Sequence, residues 1–371
     1  MSETDIVSGQ KNVMMTREHP ELAGMAKVGY HREKVSACLD GREIYPVTLE
    51  LDLTSECTRK CAECPSTRAL RHHYLDRDFL DRLLGVLGGH TRGLLLTGGE
   101  PTMAPLFPDA LRMARQKGFT EIAVVTNGSL LEKPEVVDAL LTFVTTIRIS
   151  LYDWDGKMCD GIDTTLGRIE TLREKIEGSG SDLRIGVSAL TSSARLPMLG
   201  KLSESVRSAG AHWIYFHPLC HKWELGCPEQ SAQDGVMEKI GELREKEFPE
   251  FKVFVSRERY ERNDIEFDGY HAANFLLVVG ADANNYLAPE VKYHPKHVIA
   301  NLGEGLQNGF LWKQMRLDKI NEVRSATYPA VRSRHRGVLY NHYIERLKLG
   351  DEAVTNAFQG TSSYIVFPHI L

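Results

Sequence analysis

No run of apolar residues in this 371-residue chain approaches the roughly 20 needed to cross a bilayer. No membrane span is therefore expected. The opening stretch Met1–Ile6 is acidic and polar, which is not the pattern of a signal peptide. Positive charge is in short supply too. The formal net charge of −5 offers no general attraction to nucleic acid or to an anionic membrane surface. Cysteine is sparse and odd in number, seven in all, so it forms no even disulfide framework. That usage fits a reducing compartment and a cytoplasmic protein. No second C-x2-C pair exists in the chain, which argues against a structural zinc with four protein ligands. With 42% hydrophobic and 26% charged residues, the composition is that of an ordinary globular protein. The length suits one large domain and a smaller one.

What is present is a tight group of three cysteines. Cys57, Cys61 and Cys64 stand at C-x3-C-x2-C spacing. A cubane iron–sulfur cluster has four irons, each needing a ligand. Three thiolates leave one iron open for a group that is not protein. The spacing by itself also permits three unrelated thiols, so its surroundings carry the argument.

Before the cysteines runs Tyr45–Leu53, aliphatic and β-branched, which reads as a strand. After them comes Gly93–Pro101, a second apolar run ending in Gly98, Gly99 and Glu100. Further strand-like segments follow at 121–126, 146–151, 183–189 and 212–217. Helical patterns lie between them, over Leu75–Leu87, Leu106–Lys117, Pro134–Phe143, Thr164–Glu177 and Met198–Ala209. Strands alternating with helices predict a parallel sheet with helices outside it. Six such units make an open α/β barrel. Reactive groups of such barrels sit at the C-terminal ends of the strands, where the three-Cys loop and Gly98–Glu100 both fall.

Strand, three-Cys loop, helix, strand and Gly-Gly-Glu-Pro together resemble the opening of the radical S-adenosylmethionine (SAM) enzymes, over roughly residues 46–220. The resemblance implies a partial (β/α)6 TIM-like barrel over 46–265, preceded by an N-terminal extension, 1–45. It implies that Cys57, Cys61 and Cys64 ligate a 4Fe–4S cluster and that SAM chelates the open iron. Gly98, Gly99 and Glu100 match the family's motif for the SAM amino group. Glycines admit close backbone approach, and a carboxylate complements an amine. An external one-electron reductant such as flavodoxin or ferredoxin would supply the electron that cleaves SAM to a 5′-deoxyadenosyl radical. That radical would abstract hydrogen from a small-molecule substrate. One departure is Glu63, which stands before the third cysteine where the family often has an aromatic residue.

Other strand ends carry candidates. Asn127 stands in Thr126-Asn127-Gly128, either a plain tight turn or, by the resemblance, a neighbour of SAM. By the resemblance, Ser150 and Asp153 at the fourth strand, and Ser188 on the fifth, are expected at the ribose or the substrate. Cys220 follows the sixth strand. It is a hydrogen-atom donor to a substrate radical, a small buried apolar residue, or a ligand of a second cluster with Cys159 and Cys227. Cys38 is taken as structural, and the pair His72 and His73 as surface or substrate-facing.

The region 266–371 predicts a smaller α+β C-terminal extension. Ala273–Pro289 reads as a β-hairpin around an Asp/Asn-rich turn. The order of segments is similar to the SPASM or twitch extension of radical SAM enzymes. No cysteine follows Cys227, and Ala288 stands about where a hairpin ligand would be. The extension would then lack auxiliary clusters and, with them, an internal electron acceptor. A redox-neutral outcome on a sugar, nucleoside or amino-acid derivative follows: epimerisation, dehydration or rearrangement. Arg332, Arg334, His335 and Arg336 form either a solvated charge run or a site for an anionic substrate. Two alternatives stay open: a peptide-modifying radical SAM enzyme, and a non-catalytic iron–sulfur scaffold.

Overall fold

The structure is a computed structural model. It describes residues 26–61, 64, 69, 72–152, 161–218, 230–245, 248, 250–255, 260, 266–306, 318–325, 328, 336–360 and 369–371. Asp153, Cys159, Cys220, Cys227, Glu63, Arg332, Arg334 and His335 lie outside the described residues.

Among the described residues, ten strands form one sheet in the order β10-β9-β8-β1-β2-β3-β4-β5-β6-β7. They are β1 (Thr48–Asp52), β2 (Gly93–Thr97), β3 (Glu121–Thr126), β4 (Thr146–Ser150), β5 (Arg184–Thr191), β6 (Trp213–Pro218), β7 (Lys252–Val255), β8 (Leu276–Val279), β9 (Asn284–Tyr286) and β10 (Val298–Asn301). Strands β1 to β7 are parallel and consecutive, the topology expected of an open α/β barrel. The six strands read from the sequence are the first six. β7 was not foreseen, because 221–262 reads as charged and helical. It is a four-residue edge strand with Phe254 43% exposed, and its apolar run Val253–Val255 is too short to stand out from the charged stretch before it.

The helices follow their sequence patterns. Arg77–Leu87 is capped by Asp76, whose carboxylate accepts from Phe79 N at 2.9 Å. It buries Phe79, Leu80, Leu83, Leu84 and Leu87, one face of a 3.6-residue period. Pro134 opens the helix Pro134–Phe143, where its missing N–H costs nothing. These faces pack on Leu49, Leu51, Leu94, Leu96, Ile122, Val124, Ile147 and Ile149 in one continuous core.

Alternate residues point to the other, inner face of the sheet. On β1 these are Thr48, Glu50 and Asp52, all buried. The inner face is filled from the C-terminal region. Ile370 packs on Leu95 and Ala123. Thr48 Oγ1 donates to His369 O at 2.6 Å and accepts from Leu371 N at 3.0 Å. This tail passes Gly93, where a Cβ would lie 1.7 Å from His369 O. The helix Arg32–Leu39 covers the same, N-terminal end of the strands, with Lys34 Nζ donating to Tyr45 O and Pro46 O at 2.7 and 3.1 Å.

The hairpin read at 273–289 is β8 and β9, paired antiparallel. β8 also pairs in parallel with β1, so the sheet runs on from the barrel strands into the C-terminal region. No helix among the described residues is long and apolar enough to cross a membrane.

Candidate active site

The cysteine loop leaves β1 and is pinned at its base by the chain returning from it. Leu75 N donates to Leu53 O at 2.9 Å, and Ser55 N to His73 O at 3.0 Å. His73 N donates to Ser55 Oγ at 2.9 Å. The His72–His73 pair thus contributes here through the His73 backbone.

The second anchor is the end of β2. Gly99 N donates to Thr54 O at 2.9 Å and Glu100 N to Glu56 O at 2.7 Å. Both glycines are needed for this approach. Gly98 has φ +125°, where L side chains are strained, and a Cβ on it would lie 2.4 Å from Thr54 O. A Cβ on Gly99 would lie 1.9 Å from Glu56 O. The glycines therefore admit the backbone of the residues leading into Cys57, a role the sequence reading did not give them.

Glu100 is fully buried, and its carboxylate is engaged within the protein. Oε1 accepts from Thr102 N, Thr102 Oγ1 and Thr126 Oγ1 at 3.2, 2.5 and 2.6 Å. Oε2 accepts from Asn127 N at 2.7 Å. Burial pushes the carboxyl above its ordinary range, against the pull of these four donors. Glu100 thus ties the end of β2 to the end of β3.

Asn127 carries the tie on to the cysteines. Its side-chain amide donates to Thr58 Oγ1 at 2.9 Å and lies 3.5 Å from Cys57 Sγ. Its carbonyl accepts from Ser129 N at 2.9 Å, which sets the direction of the amide. Arg59 N also donates to Cys57 Sγ, at 3.4 Å. Burial raises the Cys57 thiol, and the charges of Glu100 and Cys64 act the same way. The Arg59 and Asn127 donors oppose them. N–H groups aimed at sulfur favour the thiolate, the form that binds metal.

Cys57, Cys61 and Cys64 are in no disulfide and are half-buried, and Cys64 N donates to Cys61 O at 3.2 Å. Among the described residues no three His, Cys, Asp or Glu side chains converge on one metal position. A cubane takes one thiolate per iron, so its cysteines stand apart. The loop's donor set and its N–H groups fit a cluster with three protein ligands.

The inner face supplies the other candidates. Ser150 and Ser188 are register partners on β4 and β5, and Tyr215 on β6 partners Ser188. Ser188 Oγ is fully buried and has no hydrogen-bond partner among the described residues. Such a hydroxyl is costly unless something pairs with it, which fits a ligand with polar groups over this row. Cys57, Gly98, Gly99, Glu100 and Asn127 thus form one connected group, while Ser150 and Ser188 line the sheet beyond it. Thr54, Thr58 and Thr126 were missed. Their only signal in the sequence was their position next to named residues at strand ends.

A parallel α/β sheet with a three-Cys loop after its first strand, hung on a Gly-Gly-Glu turn after its second, defines a radical SAM protein. Residues 51–187 match the family model described as "Radical SAM superfamily", which makes that stretch a radical SAM domain. Its cofactors are a 4Fe–4S cluster and SAM. Among curated proteins, the chain is 25% identical over 178 residues to a GTP 3′,8-cyclase of Photorhabdus laumondii, covering 46% of this chain and 52% of that protein. The chain thus spans about half the length of this relative. Among solved structures, Streptococcus suis SuiB bound to S-adenosylmethionine aligns with a TM-score of 0.59 at 14% identity, covering 76% of this chain and 71% of that one. The enzyme anSMEcpe with bound AdoMet aligns with a TM-score of 0.56 at 13% identity, covering 84% and 99%. At these identities the likeness is one of fold.

Proposed function

We propose that this protein is a radical SAM enzyme that abstracts hydrogen from a small biosynthetic metabolite, with a redox-neutral outcome such as epimerisation, dehydration or rearrangement. The observation that carries the reading is the pair of backbone bonds from Gly99 N and Glu100 N to Thr54 O and Glu56 O. They hang the cysteine loop from the end of β2. When bound, the cluster and SAM supply reductive cleavage to a 5′-deoxyadenosyl radical; the protein supplies geometry and exclusion of water.

Cys57, Cys61 and Cys64 hold the cluster in this reading. The turn at Gly98–Glu100 receives the SAM amino group, with Glu100 acting by fixing the turn and Asn127. Ser150 and Ser188 meet the ribose or the substrate. Asp153 joins them in this proposal, and Cys220 is the candidate hydrogen donor. The relative named for a GTP cyclisation supports a nucleoside or other small metabolite over a macromolecule. The lack of any cysteine after Cys227 supports redox neutrality, since it leaves no auxiliary cluster to accept an electron. An oxygen-sensitive cluster calls for a reducing compartment and an external one-electron reductant.

The test is anaerobic reconstitution with iron and sulfide, addition of SAM with dithionite as reductant, and mass spectrometry for 5′-deoxyadenosine and methionine. About four irons per chain with 5′-deoxyadenosine formed, and loss of both in Cys64→Ala, is the expected result. Full iron without SAM cleavage in the presence of candidate metabolites would leave a cluster scaffold, and zinc in place of iron would overturn the reading.

A further inference from the structure

Behind the cysteine loop lies a buried charge network that the reading above does not use. Lys292, from the segment after the hairpin, reaches across to the inner face of β1 and β2. Its ammonium donates to Glu50 Oε1 at 3.0 Å, Asp52 Oδ1 at 2.7 Å and Thr97 Oγ1 at 3.1 Å. Its three protons are thereby used. Tyr293 OH donates to the other Asp52 oxygen at 2.8 Å. Thr97 Oγ1 also donates to Asp52 Oδ1, at 2.7 Å. The side chains of Lys292, Glu50 and Asp52 are 7%, 8% and 0% exposed. Burial pulls the lysine's pKa down, but the charges of Asp52 and Glu50 and their hydrogen bonds outweigh it, so the ammonium is held charged.

Two features tie this network to the cluster site. Asp52 and Thr97 are the last residues of β1 and β2, the strands from which the cysteine loop and its Gly-Gly anchor depart. Asp52 also packs on that anchor: a Cβ on Gly98 would lie 3.2 Å from Asp52 Cβ. Among these three side chains, two carboxylates against one ammonium leave one net negative charge, buried where water screens it little. Glu290, buried nearby and bonded by Tyr270 OH and Tyr328 OH at 3.1 and 3.0 Å, adds no cation.

We propose that Lys292, Glu50 and Asp52 act as positioning residues for the cluster site, fixing the ends of β1 and β2 and lowering the reduction potential of the cluster through the net negative charge they bury. A negative charge beside a cluster disfavours adding an electron. The C-terminal region thereby acts on the chemistry of the barrel without a cluster of its own. This inference rests on Cys57, Cys61 and Cys64 being the cluster ligands.

The experiment is a redox titration of the reconstituted full-length protein, followed by the electron paramagnetic resonance signal of the reduced cluster, with iron per chain measured in parallel. Glu50→Gln keeps the shape, leaves Asp52 on Lys292 and removes the net charge, so its potential is expected to rise. Glu50→Gln with Lys292→Met restores one net negative charge, and its potential is expected to return toward that of the wild type. Asp52→Asn, the second single variant, is expected to shift in the same direction as Glu50→Gln. Full iron with unshifted potentials in both single variants overturns this inference alone. Folded single variants that bind no iron overturn the effect on potential, since the network would then act only by holding the strand ends in place. A wild-type protein that binds no iron overturns the cluster reading itself and this inference with it.

Discussion

Gly99 and Glu56 meet backbone to backbone: a Cβ on Gly99 would lie 1.9 Å from Glu56 O. No side chain fits without moving the residue that leads into Cys57. Gly99→Ala is therefore expected to displace the loop and to cut iron loading from about four per chain to below half of that. The helical and sheet content, read by circular dichroism, stays unchanged. Gly93→Ala is the control, since its Cβ would meet His369 O at the opposite end of the strands. It is expected to lower stability by about 1–3 kcal/mol in a urea melt while iron loading holds.

Glu100→Gln keeps the shape of the β2–β3 tie but changes its chemistry. Whichever way the amide is turned, its NH2 faces a backbone N–H, that of Thr102 or of Asn127. One buried donor then lacks an acceptor, at a cost of about 1–3 kcal/mol. Because burial raises the Glu100 carboxyl in the folded state, the native state binds that proton more readily than the unfolded chain. The stabilising contribution is complete below the unfolded value of ~4.3 and is lost as pH rises through the raised one. Glutamine does not titrate. Urea midpoints of both proteins from pH 4.5 upward should show the wild type losing stability relative to the variant over that window.

Ser188→Ala separates folding from binding. The Ser188 hydroxyl is buried and has no protein partner among the described residues. Its removal is expected to leave the ligand-free protein as stable or more stable, by up to about 1 kcal/mol. If the hydroxyl meets the ribose or the substrate, the variant binds that ligand more weakly. Calorimetric titration with SAM, and then a metabolite screen, checks this; a destabilised variant with unchanged binding would show a packing role instead.

His212 gives a second, opposite pH dependence. Burial, then the charges of Arg184 and Arg173, lower its pKa to about 4, and its Nδ1 accepts from Ile185 N at 3.0 Å. The unfolded chain protonates first, near the ordinary ~6.5, so this contribution is complete above that value. It is lost as pH falls from there to about 4. The stability advantage of wild type over His212→Gln, measured by urea unfolding, is expected to shrink between pH 7.5 and pH 5, with no change in iron loading.

The sequence by itself determined the parallel α/β sheet, its first six strands and the class of chemistry. Those signals are local: apolar runs of strand length, helical periodicity between them, three thiols at fixed spacing, and two glycines before a glutamate. It also placed Cys57, Gly98, Gly99, Glu100 and Asn127 at strand ends, where the fold brings them together. Tertiary structure decided what the residues touch. The glycines face the backbone before Cys57, and the Glu100 carboxylate ties β2 to β3, because strands distant in sequence become neighbours only in the sheet. Lys292 lies 240 residues from Asp52, and no local pattern marks it. Its partners are set by β8 pairing with β1, which carries the segment after the hairpin onto the inner face. A buried ammonium finds two carboxylates there because a charge taken out of water must be paired, a demand that acts only once the chain has closed around it.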